Sequence, residues 1–209
     1  MAAHHTHTPR LAHRFGTGLR RHTSAHAARD AARSTSVTTT GARALATARI
    51  GLGFVFLWAF LDKTFGLGYA TRNANSWLDG TSPAKGFLSH VSAGPLQSTF
   101  HHWAGHAWAD WLFMLGLLGI GLALIGGIAL QVAALSGTLL LALMWAAEWP
   151  PARHLATGAG SGSSNPVADY HLIYALLLIA LATTAAGDTW GLGRRWAALP
   201  IVRDHTWLR

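Results

Sequence analysis

Four apolar blocks, each near the length that crosses a bilayer as a helix, constrain this chain more than any other feature. They run from Ala44 to Phe65, Trp108 to Ile125, Gly127 to Trp149 and Pro166 to Ala186. A hydrocarbon core about 30 Å thick takes about 20 helical residues to cross. Backbone polar groups inside it must be satisfied within the segment, so helices are the expected form. The blocks predict an all-α chain, an integral membrane four-helix up-down bundle. Composition agrees: 51% of residues are hydrophobic and 11% charged, against about 25% charged in a soluble domain.

Three regions are expected: a disordered basic tail over 1–43, a transmembrane domain over 44–197 with its long loop at 66–107, and a C-terminal tail over 198–209. The first tail is rich in arginine, histidine, serine and threonine, with Asp30 its one acid. It shows no periodic apolar face, which favours disorder. The same composition describes a mitochondrial transit peptide, whereas the first long apolar run comes too late for a secretory signal.

The formal charge of +8 would suit nucleic acid, but its distribution argues otherwise. Arg29, Arg33, Arg43 and Arg49 precede or open the first block, and Arg194, Arg195, Arg203 and Arg209 follow the fourth. The opposite side carries Lys63, Arg72, Lys85 and Arg153 over two loops. The positive-inside rule then places both termini in the cytoplasm of a multi-pass cell-membrane protein, with the bilayer and not nucleic acid as partner. Tryptophans fit two interfaces, with Trp103, Trp108, Trp111, Trp145 and Trp149 outside and Trp190 and Trp196 inside. The chain has no cysteine, which excludes disulfides, iron–sulfur clusters, covalent haem attachment and thiol relays.

Within the 66–107 loop and the start of the second block, "TSPAKGFLSHVSAGPLQSTFHHWAGHAWADW" is too apolar for a free linker and too broken for a fifth span. It predicts a partly helical outer element on the bundle mouth. "IGGIAL" predicts a tight turn between the second and third helices. Gly116, Gly119 and Ala123 on one, and Ala133 and Gly137 on the other, are candidates for close backbone approach.

The outer ends of the four helices each carry an acid: Asp62, Asp110, Glu148 and Asp169, joined by Lys63 and His171. Asp169 and Asp110 also suit helix starts, with Asn165 as the expected cap and Pro166 in the first helical position. Glu148 precedes "WPP", where a helix must stop. His171 and Tyr174 share a face, as a structural pair or as part of a site. Asp62 is the hardest to place blandly. Lys63 can snorkel to the headgroups, but Asp62 is short and points about 100° away from it. It needs another partner, with His171, Lys85, Arg72 and Arg153 as candidates. An acid inside a membrane is either a structural ion pair or part of a working site. On the second reading Asp62, Lys63, Glu148 and His171 are the candidate catalytic residues, and Tyr174, Trp58 and Trp145 would line a cofactor. His90, His101, His102, His106 and His171 are candidate haem or metal ligands. The i, i+4 spacing of His102 and His106 counts only if that piece is helical, so no metal site is assigned.

The stretches "LDKTFGLGYAT" (61–71), "SPAKGFL" (82–88), "DWLFMLGLLGIGLAL" (110–124), "NPVADYHLIYAL" (165–176) and "AGDTWGLGRRW" (186–196) give the chain a resemblance to the DoxX/DoxD family of small four-helix membrane proteins, across residues 43–197. The resemblance implies quinone-linked redox work, as in the membrane subunit of thiosulfate:quinone oxidoreductase, with quinone as the cofactor. It equally implies a non-catalytic membrane anchor or scaffold for a redox or detoxification complex, with a redox partner protein or a second copy of the chain. Without cysteine, sulfur cannot ride on a persulfide, so thiosulfate would be held as an anion by Lys63, Lys85, Arg72 or His171. A small transporter is the third reading, although four short unbroken spans lack the paired broken helices of that class.

Overall fold

A computed structural model describes the backbone of residues 16–208 and the side chains of 39–208. The histidine-rich start and most of the expected disordered tail lie outside the described side chains. The chain divides into two units, Met1–Gly41 and Ala42–Arg209. Helices dominate; the one β feature among the described residues is an isolated bridge between His154 and Gly160. In chain order the helices are α1 (Gly16–Phe65), α2 (Lys85–Ser89), α3 (Gln97–Trp103), α4 (Ala107–Gly126), α5 (Leu130–Glu148), α6 (Tyr170–Thr183), α7 (Gly193–Ala197) and α8 (Pro200–Asp204).

Three helical stretches are long and apolar enough to cross a membrane: Thr39–Phe65 of α1, Ala107–Gly126 and Leu130–Glu148. The expected fourth span is shorter. α6 has 14 residues, about 21 Å at 1.5 Å per residue. The reason is local. Asn165 does not cap this helix; its Oδ1 accepts the amides of Val167 and Ala168 at 2.9 Å each, closing a turn. Asp169, in extended conformation, is the N-cap, so the helix begins at Tyr170.

Neighbouring helices alternate in direction. At Gly127 (φ 68°) the chain leaves α4, and the Ile128 amide donates to Ala123 O at 3.0 Å in a glycine-ended cap. α5 therefore returns beside α4, as "IGGIAL" predicts. α1 meets α4 where two glycines remove side chains. A Cβ on Gly53 would lie 2.9 Å from Leu124 Cβ, and one on Gly121 would lie 2.8 Å from the Leu57 amide nitrogen. Moving forward from 53 to 57 moves back from 124 to 121, so the pair is antiparallel. Gly137 admits Leu178 of α6 in the same way. Gly116 and Gly119 do not serve as expected: a Cβ on Gly116 would come no nearer than 3.9 Å to a neighbour, and one on Gly119 meets nothing within 4 Å. Gly119 is exposed, on the side of α4 that also exposes Leu112, Leu115 and Leu122.

The main core gathers Leu52 and Phe56 of α1, Met114, Leu117, Ile120 and Leu124 of α4, Leu141 of α5, and Leu178 and Leu181 of α6. A smaller cluster of Val91, Phe100 and Ala147 seats α3 on the end of α5.

Arg49 is more than a marker of an interface. It is fully buried, and each of its five N–H donors finds a backbone carbonyl. Nε donates to Ala186 O at 3.1 Å, and Nη2 donates to Thr189 O and Trp190 O at 3.1 Å each. Nη1 donates to Leu124 O and Ile125 O at the end of α4. A cation placed there meets the negative end of the α4 dipole. It also joins three chain segments without needing an acid.

Candidate functional site

The acids foreseen at the helix ends separate into different tasks. Asp62 is 2% exposed, yet none of its expected partners reaches it. Its carboxylate accepts the backbone amides of Tyr69, Ala70 and Thr71 at 3.2, 3.0 and 2.8 Å. The chain leaves α1 through Gly66 (φ 61°) and Gly68 (φ 88°) and doubles back over the helix end, which aims three amides at the acid. Three hydrogen bonds satisfy the buried carboxyl without a cation. Asp110 works alike: it is buried and accepts from Ser82 Oγ at 2.8 Å and the Ala84 amide at 3.0 Å, tying the 66–107 loop to the start of α4.

Glu148 and His171 do come together, and Asp169 completes the group. One donor atom from each of the three lies within 4.8 Å of the others. Asp62 and Lys63 are not part of it. Asp169 Oδ1 accepts the His171 and Leu172 amides at 3.1 and 3.3 Å, capping α6. Its Oδ2 lies 2.8 Å from His171 Nδ1. A carboxylate only accepts, so Nδ1 carries the hydrogen, and the neutral ring is left with Nε2 as a bare acceptor. His171 is 1% exposed, and Nε2 has no hydrogen-bond partner. The nearest charge to Nε2 is Glu148 Oε1 at 4.0 Å, on a side chain 40% exposed. Glu148 Oε1 also accepts from Tyr170 Oη at 3.0 Å.

His171 lines a cavity of about 300 Å³ between α5 and α6, together with Thr138, Leu141, Ala142, Trp145, Val167, Leu172 and Ala175. The walls are almost wholly apolar. Thr138 Oγ1 is the second buried side-chain polar atom without a partner among the described residues, and Thr138 lines the same cavity. Its behaviour is unusual. Thr64, Ser136, Thr183 and Thr184 all return their hydroxyls to the carbonyl four residues back, the common outcome in a helix. Thr138 does not. An unpaired buried hydroxyl costs about 1–3 kcal/mol, and both unpaired atoms belong to residues that line this cavity.

The remaining candidates divide. Trp145 forms the cavity wall, fixed by Nε1 donating to Val167 O at 3.1 Å. Tyr174 packs against the main core, and Trp58 packs between Phe54 and Tyr69; neither lines the cavity. Lys63 lies on a different cavity, with its ammonium 5.8 Å from the Phe113 ring centre. His102 and His106 are not on one helix. α3 ends at Trp103 and His106 precedes α4 in extended conformation, with Gly105 (φ 83°) between them. His90 Nδ1 contacts Gly86 O, and His101 Nε2 contacts Val91 O.

Sequence reasoning missed Thr138. It lies seven residues before Trp145 and ten before Glu148, on one face of a helix, and that register was its only signal. Among the described residues, Glu148, Asp169 and His171 are the ones that could hold a metal ion. Both Asp169 oxygens are already engaged, so ligation there competes with the α6 cap.

Comparison with family models, with curated proteins and with solved structures finds no match to the chain.

Proposed function

We propose that this chain is a DoxX-like membrane subunit of a quinone-linked oxidoreductase, and that the quinone head group binds between α5 and α6 beside His171. In this reading α6 completes a four-helix up-down bundle, both termini are cytoplasmic, and the cavity opens toward the outer leaflet. The observation that carries the reading is the pair of orphaned atoms, His171 Nε2 and Thr138 Oγ1, on two residues that line one apolar cavity. A quinone matches it: an apolar ring with oxygens able to take hydrogen bonds from a hydroxyl and an imidazolium. When bound, it accepts two electrons and two protons; two thiosulfate ions supply the electrons on joining as tetrathionate.

His171 carries the proton. Protonated, its Nε2–H would donate to a quinone carbonyl oxygen; after transfer, the neutral imidazole would keep its orientation because Asp169 still holds Nδ1–H. Glu148, half in solvent and 4.0 Å from Nε2, returns a proton from outside. Thr138 orients the head by donating one hydrogen bond, and Trp145 offers it a flat wall.

The test is a titration of purified protein in nanodiscs with a short-tailed benzoquinone or naphthoquinone, alongside quinone reduction by thiosulfate. Saturable binding is expected, weakened roughly 10- to 150-fold by His171→Gln through the loss of a hydrogen bond from a charged group. Absence of saturable binding would overturn the proposal and leave the anchor role for a partner redox protein in its place.

A further inference from the structure

The opposite face of α5 borders a second cavity that the quinone reading does not use. It measures about 190 Å³ and is lined among others by Phe87, Phe100, Trp103, Leu112 and Leu143, with Lys63 as its one charged residue. It adjoins a polar cleft of about 600 Å³, lined by Thr71, Asn75, Ser89 and His90 together with Lys63 and Lys85. Lys63, Pro83 and Phe87 line both. An apolar slot therefore opens into a cationic, donor-rich cleft, and a lysine stands at the join.

Asp62 acts on the Lys63 charge from the adjacent position, but no carboxylate makes contact with either lysine. The ion pairs among the described residues all involve His171, so neither lysine is in one. No carboxylate lines either cavity. Asp62 and Asp110 are already occupied: Asp62 by the amides of Tyr69 to Thr71, and Asp110 by Ser82 and Ala84. The loop thus satisfies the acids at the ends of α1 and α4 with backbone and hydroxyl groups and leaves both ammonium groups without a contact ion pair. Lysine binds phosphate as a point charge, and the hydroxyl and amide groups of the cleft add hydrogen bonds suited to several oxygens. At roughly 30 Å³ for a group the size of water, the apolar slot takes only a short stretch of one chain. The rest would run past Leu112, which is 67% exposed, into the bilayer.

We propose that the joined cavities bind an anionic phospholipid, its phosphate between Lys63 and Lys85 and the first part of one acyl chain against Phe87, Phe100 and Trp103. The site holds a structural or regulatory lipid and does not depend on the quinone site.

Trp103 and Trp108 line the slot, so a chain-brominated lipid reports its own arrival by quenching. The full chain is placed in phosphatidylcholine nanodiscs containing graded brominated phosphatidic acid or, separately, brominated phosphatidylcholine. Phosphatidic acid is expected to half-quench at a several-fold lower mole fraction. Lys85→Gln, at an exposed position, should cut that preference about fivefold, and Lys63→Gln should do likewise. Trp103→Phe with Trp108→Phe should remove the preferential component. Free inorganic phosphate at equal concentration should not compete. Equal quenching by the two lipids, a preference indifferent to Lys85→Gln, or full competition by inorganic phosphate would each overturn the proposal. Quinone binding is expected to be unchanged in Lys85→Gln, so the two sites fail or stand separately.

Discussion

Thr138→Val should stabilise the empty protein while weakening its ligand, a combination that few other positions can produce. Thr138 Oγ1 is buried and unbonded, and Thr138 lines a cavity whose walls, His171 apart, are otherwise almost wholly apolar. Valine has nearly the same shape and no hydroxyl. Removing an unsatisfied buried hydroxyl recovers about 1–3 kcal/mol. For a chain of this size, each kcal/mol raises the midpoint by about 2–4 °C, so the expected gain is about 2–12 °C. The same change deletes one neutral hydrogen bond to a bound head group, worth about 0.5–1.5 kcal/mol, or roughly 2- to 13-fold in affinity. Thermal unfolding of ligand-free protein in detergent measures the first effect, and quinone titration measures the second. If Thr138→Val lowers the midpoint, the hydroxyl already has a partner in the folded protein, and the cavity loses its claim to be waiting for one. If stability rises and affinity is unchanged, the hydroxyl is idle and His171 alone addresses the ligand.

The helices were legible because apolar blocks of this length have few alternatives, and the α4–α5 turn because Gly126 and Gly127 interrupt a continuous apolar run. Spacing could not tell which glycines meet a neighbour. Gly116 and Gly119 have the small-residue spacing, yet Gly53 and Gly121 make the close approach, because the face that packs depends on how α1 lies on α4. Glu148, His171 and Trp145 were legible as polar or aromatic groups at helix ends that antiparallel neighbours bring together. Arg49 and Asp62 were misread for a common reason. Arg49 was counted only as an orienting charge and Asp62 was given side-chain partners, whereas the partners of both are backbone groups: five carbonyls for Arg49 and three amides for Asp62. Every residue has those groups, so no sequence pattern marks them until the chain is folded.

Three further substitutions separate packing from charge. Gly187→Ala should destabilise severely, because its Cβ would fall within 2.3 Å of Gly127 O beside Arg49, while Gly119→Ala, with nothing within 4 Å, should be neutral or slightly stabilising; thermal unfolding of the two variants checks the contrast, and equal behaviour would refute the glycine contact. Asp62→Asn tests whether the intramembrane acid is structural. It keeps the shape but loses the charge, and it can turn an NH₂ donor toward amides that need an acceptor. A hydrogen bond to a charged group contributes about 1.5–3 kcal/mol, so the midpoint should fall by about 3–12 °C. The 66–71 loop should exchange its Tyr69, Ala70 and Thr71 amide hydrogens faster, since these are the three donors the carboxylate holds. Quinone affinity should stay within about twofold, because Asp62 is not in the Glu148–Asp169–His171 group. Hydrogen exchange by mass spectrometry and quinone titration read the two arms on one preparation. An Asp62→Asn protein that is as stable as the parent, with unchanged exchange but no turnover, would refute the structural role and make Asp62 a reacting acid.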